Sequence, residues 1–138
     1  MNLRMNQPIA LNGNTVLLVD DNAIQAATRQ TILKRAGYSV QAALNPARAL
    51  EMLQDDQVAA TVGAVITDHI MPGMNGAEFV RELRKTMPSL PVLVISGLEE
   101  AEDEYEGLDV RFLLKPLPPE QLIASVRSVL AVEQQGAA

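Results

Sequence analysis

The 138-residue sequence contains no cysteine and no tryptophan, and only 3% of its residues are aromatic. The absence of cysteine excludes disulfides, thiol catalysis and cysteine-ligated zinc. Acids outnumber bases by 17 to 11, and no basic cluster of the kind that nucleic acid or an anionic membrane requires is present. No apolar run approaches the roughly 18 residues of a membrane span, and the N-terminus lacks the apolar core of a signal peptide. We therefore expect a cytoplasmic protein.

What the chain does have is aliphatic side chains, and 48% of its residues are hydrophobic. That content supports one compact domain whose core is built from Val, Leu, Ile, Ala and Met. We predict a flexible N-terminal arm over 1–14, one domain over 15–132 and a C-terminal tail over 133–138.

Strand and helix signals alternate along the predicted domain. Apolar, strand-like runs cover 15–19, 38–42, 64–67, 92–95 and 110–114, and helical segments follow them over 22–36, from 45, over 76–86, 99–106 and 118–132. Five strand-then-helix units predict an α/β fold with a parallel, doubly wound sheet and helices on both faces. The strand order that we expect is the flavodoxin-like 2-1-3-4-5.

The helix patterns differ in clarity. Asn22 can cap the first helix and Gly37 suits the left-handed position after its end, but the apolar stripe between them (Ile24, Ala27, Thr31) is weak. The helix over 76–86 has a clear stripe in Phe79, Val80, Leu83 and Met87.

Chemically suited side chains follow four of the five strands. Asp20 and Asp21 follow the first strand, Asp68 the third, Ser96 the fourth and Lys115 the fifth. These strand ends share one edge of a doubly wound sheet, where ligands bind. Three neighbouring carboxylates need a cation, and hard oxygen ligands suit Mg²⁺. An aspartate held by a metal and facing a lysine and a hydroxyl is a candidate phosphoryl acceptor.

At these residues the sequence resembles the CheY-like receiver domain of two-component response regulators, over about 15–130. The shared features, in chain order, are an acidic pair after the first strand, an aspartate followed by Met-Pro and Gly, a Ser or Thr after the fourth strand, and Lys-Pro after the fifth. In this chain they are Asp20-Asp21, Asp68 with Met71-Pro72 and Gly76, Ser96, and Lys115-Pro116.

The resemblance implies a role for each of these residues. Asp68 is the phosphoacceptor, Asp21 and Asp68 hold Mg²⁺ with the backbone carbonyl of Ile70, and Asp20 acts through metal-bound water. Lys115 pairs with the phosphoryl group, which Ser96 binds after activation, and the family's Lys-Pro bond is commonly cis.

Two departures from the family pattern affect the expected switch. The stretch from Ser96 to Lys115 is about three residues short, which predicts a shortened fourth helix, a single turn or a loop. Phe112 occupies the position of the family's aromatic switch residue, which is Tyr or Phe, and therefore has no hydroxyl. The alternative is that Phe112 is a fixed side chain of the core.

The implied function is a phosphorylation-controlled module that receives a phosphoryl group from a sensor histidine kinase or a phosphotransfer protein. It then presents its surface to a downstream target protein, without contacting nucleic acid or a membrane. We expect no turnover on external substrates. A stand-alone receiver and the receiver of a hybrid histidine kinase both fit the sequence.

Proteins of other classes fit the sequence less well. An aspartate-nucleophile phosphohydrolase of the haloacid-dehalogenase type carries Asp-x-Asp and a cap domain, whereas the aspartates here are adjacent. A flavodoxin-like flavin binder needs a phosphate loop that Asp20-Asp21 cannot provide. A receiver that never accepts phosphate stays open until the chemistry is tested.

Each residue also has a plainer structural interpretation. Asp68 and Ser96 could form turns, Asp20-Asp21 could cap a helix, and Lys115 could be a solvated end charge. His69 is expected to point away from the acids because strand side chains alternate. Met71 and Met74 are expected to pack the loop. The seven acids over 99–109 are typical of a solvated face or a partner surface.

Overall fold

The structure is a computed structural model that describes residues 13–137, with side chains described through Leu130. It has five β-strands, five α-helices and one 3-10 helix. In chain order they are β1 (Thr15–Val19), α1 (Ala23–Arg35), β2 (Ser39–Ala43), α2 (Pro46–Leu53), α3 (Asp56–Thr61), β3 (Val62–Asp68), α4 (Gly76–Arg84), β4 (Val92–Ser96), the 3-10 helix (Glu99–Tyr105), β5 (Arg111–Leu114) and α5 (Pro119–Ala137).

The strands form one parallel sheet in the order β2-β1-β3-β4-β5, which confirms the predicted fold. The central strand, β3, is buried along all seven residues because helices cover both faces of the sheet. Because every strand runs in the same direction, all carboxyl ends meet at one edge. Within residues 13–137, no helix is both long enough and apolar enough to cross a membrane.

A hydrophobic core lies on each face of the sheet. On one face, alternate strand residues such as Leu17 and Val65 pack against α2, α4 and the 3-10 helix, with Phe79 completely buried among them. On the other face, residues such as Leu18 and Ile66 pack against α1 and α5. The predicted stripe of α4 is confirmed, since Phe79, Val80 and Leu83 are buried and Met87 packs beside them.

The predicted inward face of α1 was wrong. Ile24 is 80% exposed, and Ala27 and Thr31 are exposed as well. The buried residues of α1 are Ala26, Arg29 and Leu33. An arginine in the middle of that face interrupts the apolar pattern, and for this reason the stripe could not be recognised. Both helix ends were predicted correctly: the Asn22 side chain caps the start and Gly37 has φ +101° after the end.

Two further elements differ from the prediction. Helix α3 was not predicted, because six residues are too few to show helical periodicity, although the Asp55 side chain caps it. Helix α5 continues to Ala137, whereas we predicted an end near 132 and a tail over 133–138. The Glu and Gln residues of that segment favour helix. Apart from 13 and 14, the predicted N-terminal arm lies outside the described residues.

The segment after β4 is a short helix, as its reduced length relative to the family pattern predicted. It is a 3-10 helix rather than an α-helix. Its acidic side chains are exposed, while Ala101 and Tyr105 are buried and anchor it to the core. Arg84, at the end of α4, fixes the chain that follows. Its guanidinium donates hydrogen bonds of 2.7–2.9 Å to the four backbone carbonyls of Met87, Leu90, Leu108 and Asp109.

Candidate functional site

The strand register brings the predicted site residues to one edge of the sheet. Val19 of β1 pairs with Thr67 of β3, so the following residues, Asp20 and Asp68, are neighbours. Asp68 in turn pairs with Ile95, one residue before Ser96. The backbone N–H of Lys115 donates to the carbonyl of Ser96 at 2.8 Å, which aligns the end of β5 with the end of β4.

Asp20 and Asp68 are buried carboxylates that share two hydrogen-bond donors. Asp20 is fully buried, and Asp68 is 3% exposed. Nε2 of Gln25 lies 2.8 Å from Oδ2 of Asp20 and 3.0 Å from Oδ2 of Asp68. Nη1 of Arg29 lies 3.2 Å from an oxygen of each. The two acids therefore form one site rather than two independent strand ends.

Lys115 reaches this pair from the opposite side of β3. Its Nζ lies 3.4 Å from Oδ1 of Asp68, and its side chain is 39% exposed. The Lys115–Pro116 peptide bond is cis, as the family resemblance implies. Oδ1 of Asp68 thus has two cations beside it, Arg29 and Lys115.

Burial dominates the ionisation of Asp68. It raises the pKa of this carboxyl to about 6 from 3.8, although the charges of Arg29 and Lys115 lower it. Asp20 contributes to this rise, because a second carboxylate disfavours the ionised form. Asp68 is therefore a buried acid with a raised pKa, and additional positive charge would stabilise its carboxylate.

Asp21 and Ile70 lie on the exposed rim of the site. Asp21 is exposed, and Ile70 is 66% exposed. Because the side chain of Ile70 is a hydrocarbon, only its backbone carbonyl could act as an oxygen ligand. Among the described residues, no three acidic or histidine side chains form a complete protein-only metal site. Mg²⁺ does not need one, because it keeps several waters and takes one or two carboxylates. The paired carboxylates of Asp20 and Asp68 fit that requirement.

Ser96 is buried beside the site, with its hydroxyl engaged by its own loop. Its Oγ accepts a hydrogen bond of 2.9 Å from the N–H of Leu98 and donates to the Leu98 carbonyl at 3.3 Å. Phe112 is half-buried against the core, with its ring centroid 5.8 Å from that of Tyr105. Both predicted switch residues therefore connect to the segment that contains the 3-10 helix.

His69 points away from Asp20 and Asp68, as the strand alternation predicts. Its Nδ1 lies 2.7 Å from the hydroxyl of Tyr105, and its Nε2 lies 3.5 Å from a carboxylate oxygen of Glu104. Gly76 permits this contact, since a Cβ there would collide with the Tyr105 hydroxyl and with the Asp68 carbonyl. Met71 is buried and Met74 packs against the core, which confirms their predicted packing role.

Sequence reasoning missed three residues in or near the site, Gln25, Arg29 and Tyr105, and also Arg84, which lies away from it. The spacing of Gln25 and Arg29, four residues apart in a helix with a weak apolar stripe, was the available signal. Tyr105 lies in an acidic stretch that resembles a solvated face, yet its ring is buried in the core and its hydroxyl contacts His69. Arg84 binds backbone carbonyls, which leave no trace in side-chain patterns.

The fold and the strand-end site define a CheY-like receiver, and comparison with known proteins places the chain in that family. The model of the response regulator receiver domain matches residues 16–127. The chain belongs to this family and is a receiver domain of two-component signalling.

Individual relatives agree with this assignment. The chain is 36% identical over 127 residues to the hydrogenase transcriptional regulatory protein HoxA of Cupriavidus necator, covering 88% of this chain and 25% of that protein. It is 33% identical over 118 residues to the response regulator MprA of Mycobacterium avium, covering 83% of this chain and 50% of that protein. The chain thus spans a quarter to a half of these relatives. The crystallised chemotaxis protein CheY4 of Vibrio cholerae is 30% identical with a TM-score of 0.76, covering 86% of this chain and 99% of that one.

Proposed function

We propose that Asp68 accepts a phosphoryl group from the phosphohistidine of a sensor histidine kinase or phosphotransfer protein. The observation that carries this proposal is the position of Asp68, a buried carboxylate at the end of β3 with Nζ of Lys115 3.4 Å from its Oδ1. A carboxylate at this position has a cation ready for the charge of an incoming phosphoryl group.

The transfer is a substitution at phosphorus. An oxygen of the ionised Asp68 carboxylate attacks phosphorus opposite the phosphorus–nitrogen bond of the donor. The phosphorus–oxygen bond forms as the phosphorus–nitrogen bond breaks, and the leaving imidazole nitrogen keeps the electron pair and gains a proton from solvent. The ammonium of Lys115 pairs with a phosphoryl oxygen and holds the acyl phosphate at the strand edge.

We propose that Asp20, Asp21, Asp68 and the backbone carbonyl of Ile70 hold Mg²⁺. When bound, the ion supplies positive charge that offsets the negative charge of the phosphoryl oxygens. The pairing of Asp20 and Asp68 in the structure supports the first part of this set, while Asp21 and Ile70 are proposed from the family resemblance and their place on the rim.

The hydroxyl of Ser96 is the proposed sensor of phosphorylation. To bind a phosphoryl oxygen, its O–H must give up the hydrogen bond that it donates to the Leu98 carbonyl. The loop that follows Ser96 would then move toward Asp68, and the Phe112 side chain would move into the space beside that loop. The face formed by the 3-10 helix, β5 and α5 is the surface that we propose changes for a downstream protein. The net charge of −6 argues against nucleic acid as its target.

Exposed apolar side chains around the acid site suit a protein phosphodonor. The large hydrophobic residues that are exposed within the described part of the chain all lie on the carboxyl-end edge of the sheet: Ile24, Leu44, Ile70, Leu98 and Leu114. Such a ring is typical of a docking surface. We expect Ile24→Ser to slow transfer from a phosphorylated histidine protein and to leave the rate with phosphoramidate unchanged.

A turnover experiment separates a receiver from a phosphohydrolase. With phosphoramidate and Mg²⁺, we expect one phosphoryl group per chain and no multiple turnover of p-nitrophenyl phosphate. Sustained release of p-nitrophenol that Asp68→Asn abolishes would refute the proposed receiver function and favour the enzyme.

A further inference from the structure

Two side chains of α1 lie across the acid site, and together we term them the α1 clasp. Gln25 and Arg29 are four residues apart, so they project from one face of the helix. Each contacts both Asp20 and Asp68, at 2.8 and 3.0 Å from the amide of Gln25 and at 3.2 Å from Nη1 of Arg29. Arg29 is only 8% exposed, so its charge is withheld from solvent and directed at the carboxylates.

The clasp completes a set of donors to every carboxylate oxygen of the pair. Oδ1 of Asp20 accepts from the N–H of Asn22 at 2.9 Å, while its Oδ2 faces the clasp. Oδ1 of Asp68 faces both Arg29 and Lys115, and its Oδ2 accepts from Gln25. Arginine stays protonated in proteins, so Arg29 is a permanent counter-cation of this site.

A divalent ion on the same carboxylates would lie next to that guanidinium. Repulsion between the two charges is stronger in a buried site than in water, because the effective dielectric constant is lower. The contacts of Arg29 with Asp20 and Asp68 therefore oppose cation binding, and a bound cation favours release of Arg29.

The structure also provides a path for that release. A groove of about 620 Å³ runs between α1 and the connection from β5 to α5, and its lining includes Gln25, Arg29, Lys115 and Pro116. A guanidinium on a long, unbranched side chain can turn into this groove and reach water while α1 stays in place.

We propose that Arg29, positioned with Gln25, neutralises the acid site at rest, that Mg²⁺ must displace it, and that Arg29 thereby sets the Mg²⁺ affinity of this receiver. The inference rests on the proposed Mg²⁺ site and adds that a side chain of the same protein competes with Mg²⁺ for it. Arg29 acts here on Mg²⁺ binding, because it neutralises the charge of Asp20 and Asp68.

The test is calorimetric titration of MgCl₂ into the full chain at pH 8, with Arg29→Met compared with wild type. Methionine keeps much of the side-chain length and removes the charge. We expect the Mg²⁺ dissociation constant to fall by about tenfold in Arg29→Met, because one repulsive charge is gone. Arg35→Met, which removes an exposed arginine from the last turn of the same helix, should stay within about twofold of wild type.

Thermal unfolding provides a second measurement. Without Mg²⁺, Arg29→Met should melt below wild type, since Asp20 and Asp68 lose their counter-cation; saturating Mg²⁺ should raise its melting temperature by more than that of wild type. If Arg29→Met does not fold, Arg29→Lys retains one charge with a shorter reach and should bind Mg²⁺ more tightly than wild type.

An Mg²⁺ affinity that is unchanged or weaker in the charge-removing variant would overturn the proposal. Wild type would in that case still be phosphorylated on Asp68, so the failure would be distinct from failure of the receiver function. If neither protein binds Mg²⁺, both this inference and the proposed metal site are refuted. Phosphorylation of Asp68 by phosphoramidate is measured separately, as the intact mass of the chain.

Discussion

Replacing Asp68 with asparagine should stabilise the protein above neutral pH. In the folded chain, burial raises the pKa of Asp68 to about 6, from 3.8. A raised pKa means that the folded state favours the protonated carboxyl. The stability from that preference is fully present below about pH 4 and is lost as the pH rises through about 6.

The shift of roughly two pH units corresponds to about 3 kcal/mol. This figure already contains the attraction of Arg29 and Lys115, since both act on the ionised form. Asparagine resembles the neutral carboxyl in shape. The free energy of unfolding of Asp68→Asn should therefore match wild type near pH 4 and exceed it by up to about 3 kcal/mol at pH 7.5 without Mg²⁺.

Urea unfolding followed by far-UV circular dichroism measures this difference in a chain without tryptophan. With m-values of about 1–3 kcal/mol per molar, the midpoint should move by roughly 1–3 M. Asp103→Asn, which neutralises an exposed carboxylate of the 3-10 helix, is the matched control and should show no comparable pH-dependent gain. Added Mg²⁺ should reduce the gain of Asp68→Asn. A difference that is constant with pH, or a less stable Asp68→Asn at pH 7.5, would refute the reasoning.

Two other predictions concern residues outside the acid site. Arg84→Met should lower the free energy of unfolding by about 2 kcal/mol, since four backbone carbonyls lose a charged donor. Arg84→Lys should recover only part of this loss, because lysine lacks the planar fork of donors. Full recovery by lysine, measured by urea unfolding, would contradict the importance of the fork geometry. Burial raises the pKa of the Tyr105 hydroxyl, so stability should fall as the pH rises above about 10 and the unfolded state releases that proton. In a Tyr38→Phe background, phenolate absorbance should then appear together with unfolding, and its appearance in the folded protein would contradict the prediction.

Much of this fold was predictable because the relevant signals are local. Continuous apolar runs such as 15–19 and 92–95 mark strands buried on both faces, and caps such as Asn22 mark helix starts. The order of the strands then brings Asp20 and Asp68 together, and pairing with Lys115 follows from the register at the end of β5. None of these steps requires knowledge of side-chain packing.

What could not be predicted depends on contacts between distant segments. Arg29 is buried because it neutralises two carboxylates, one of them 39 residues away, so its polarity disguised the inward face of α1. Tyr105 is buried in the core, where its hydroxyl has a polar partner in His69, 36 residues earlier. In both cases a polar group enters the core to satisfy another polar group, and hydrophobic patterning does not record such pairs.

The measurement that tests the central claim most directly is the intact mass of the chain after incubation with phosphoramidate. Wild type and Asp68→Asn should be compared with and without Mg²⁺. The account predicts one added phosphoryl group on wild type that depends on Mg²⁺, and none on Asp68→Asn. A full adduct on Asp68→Asn, or an unmodified wild type that also fails to bind beryllofluoride, would contradict the assignment of Asp68 as the phosphoacceptor.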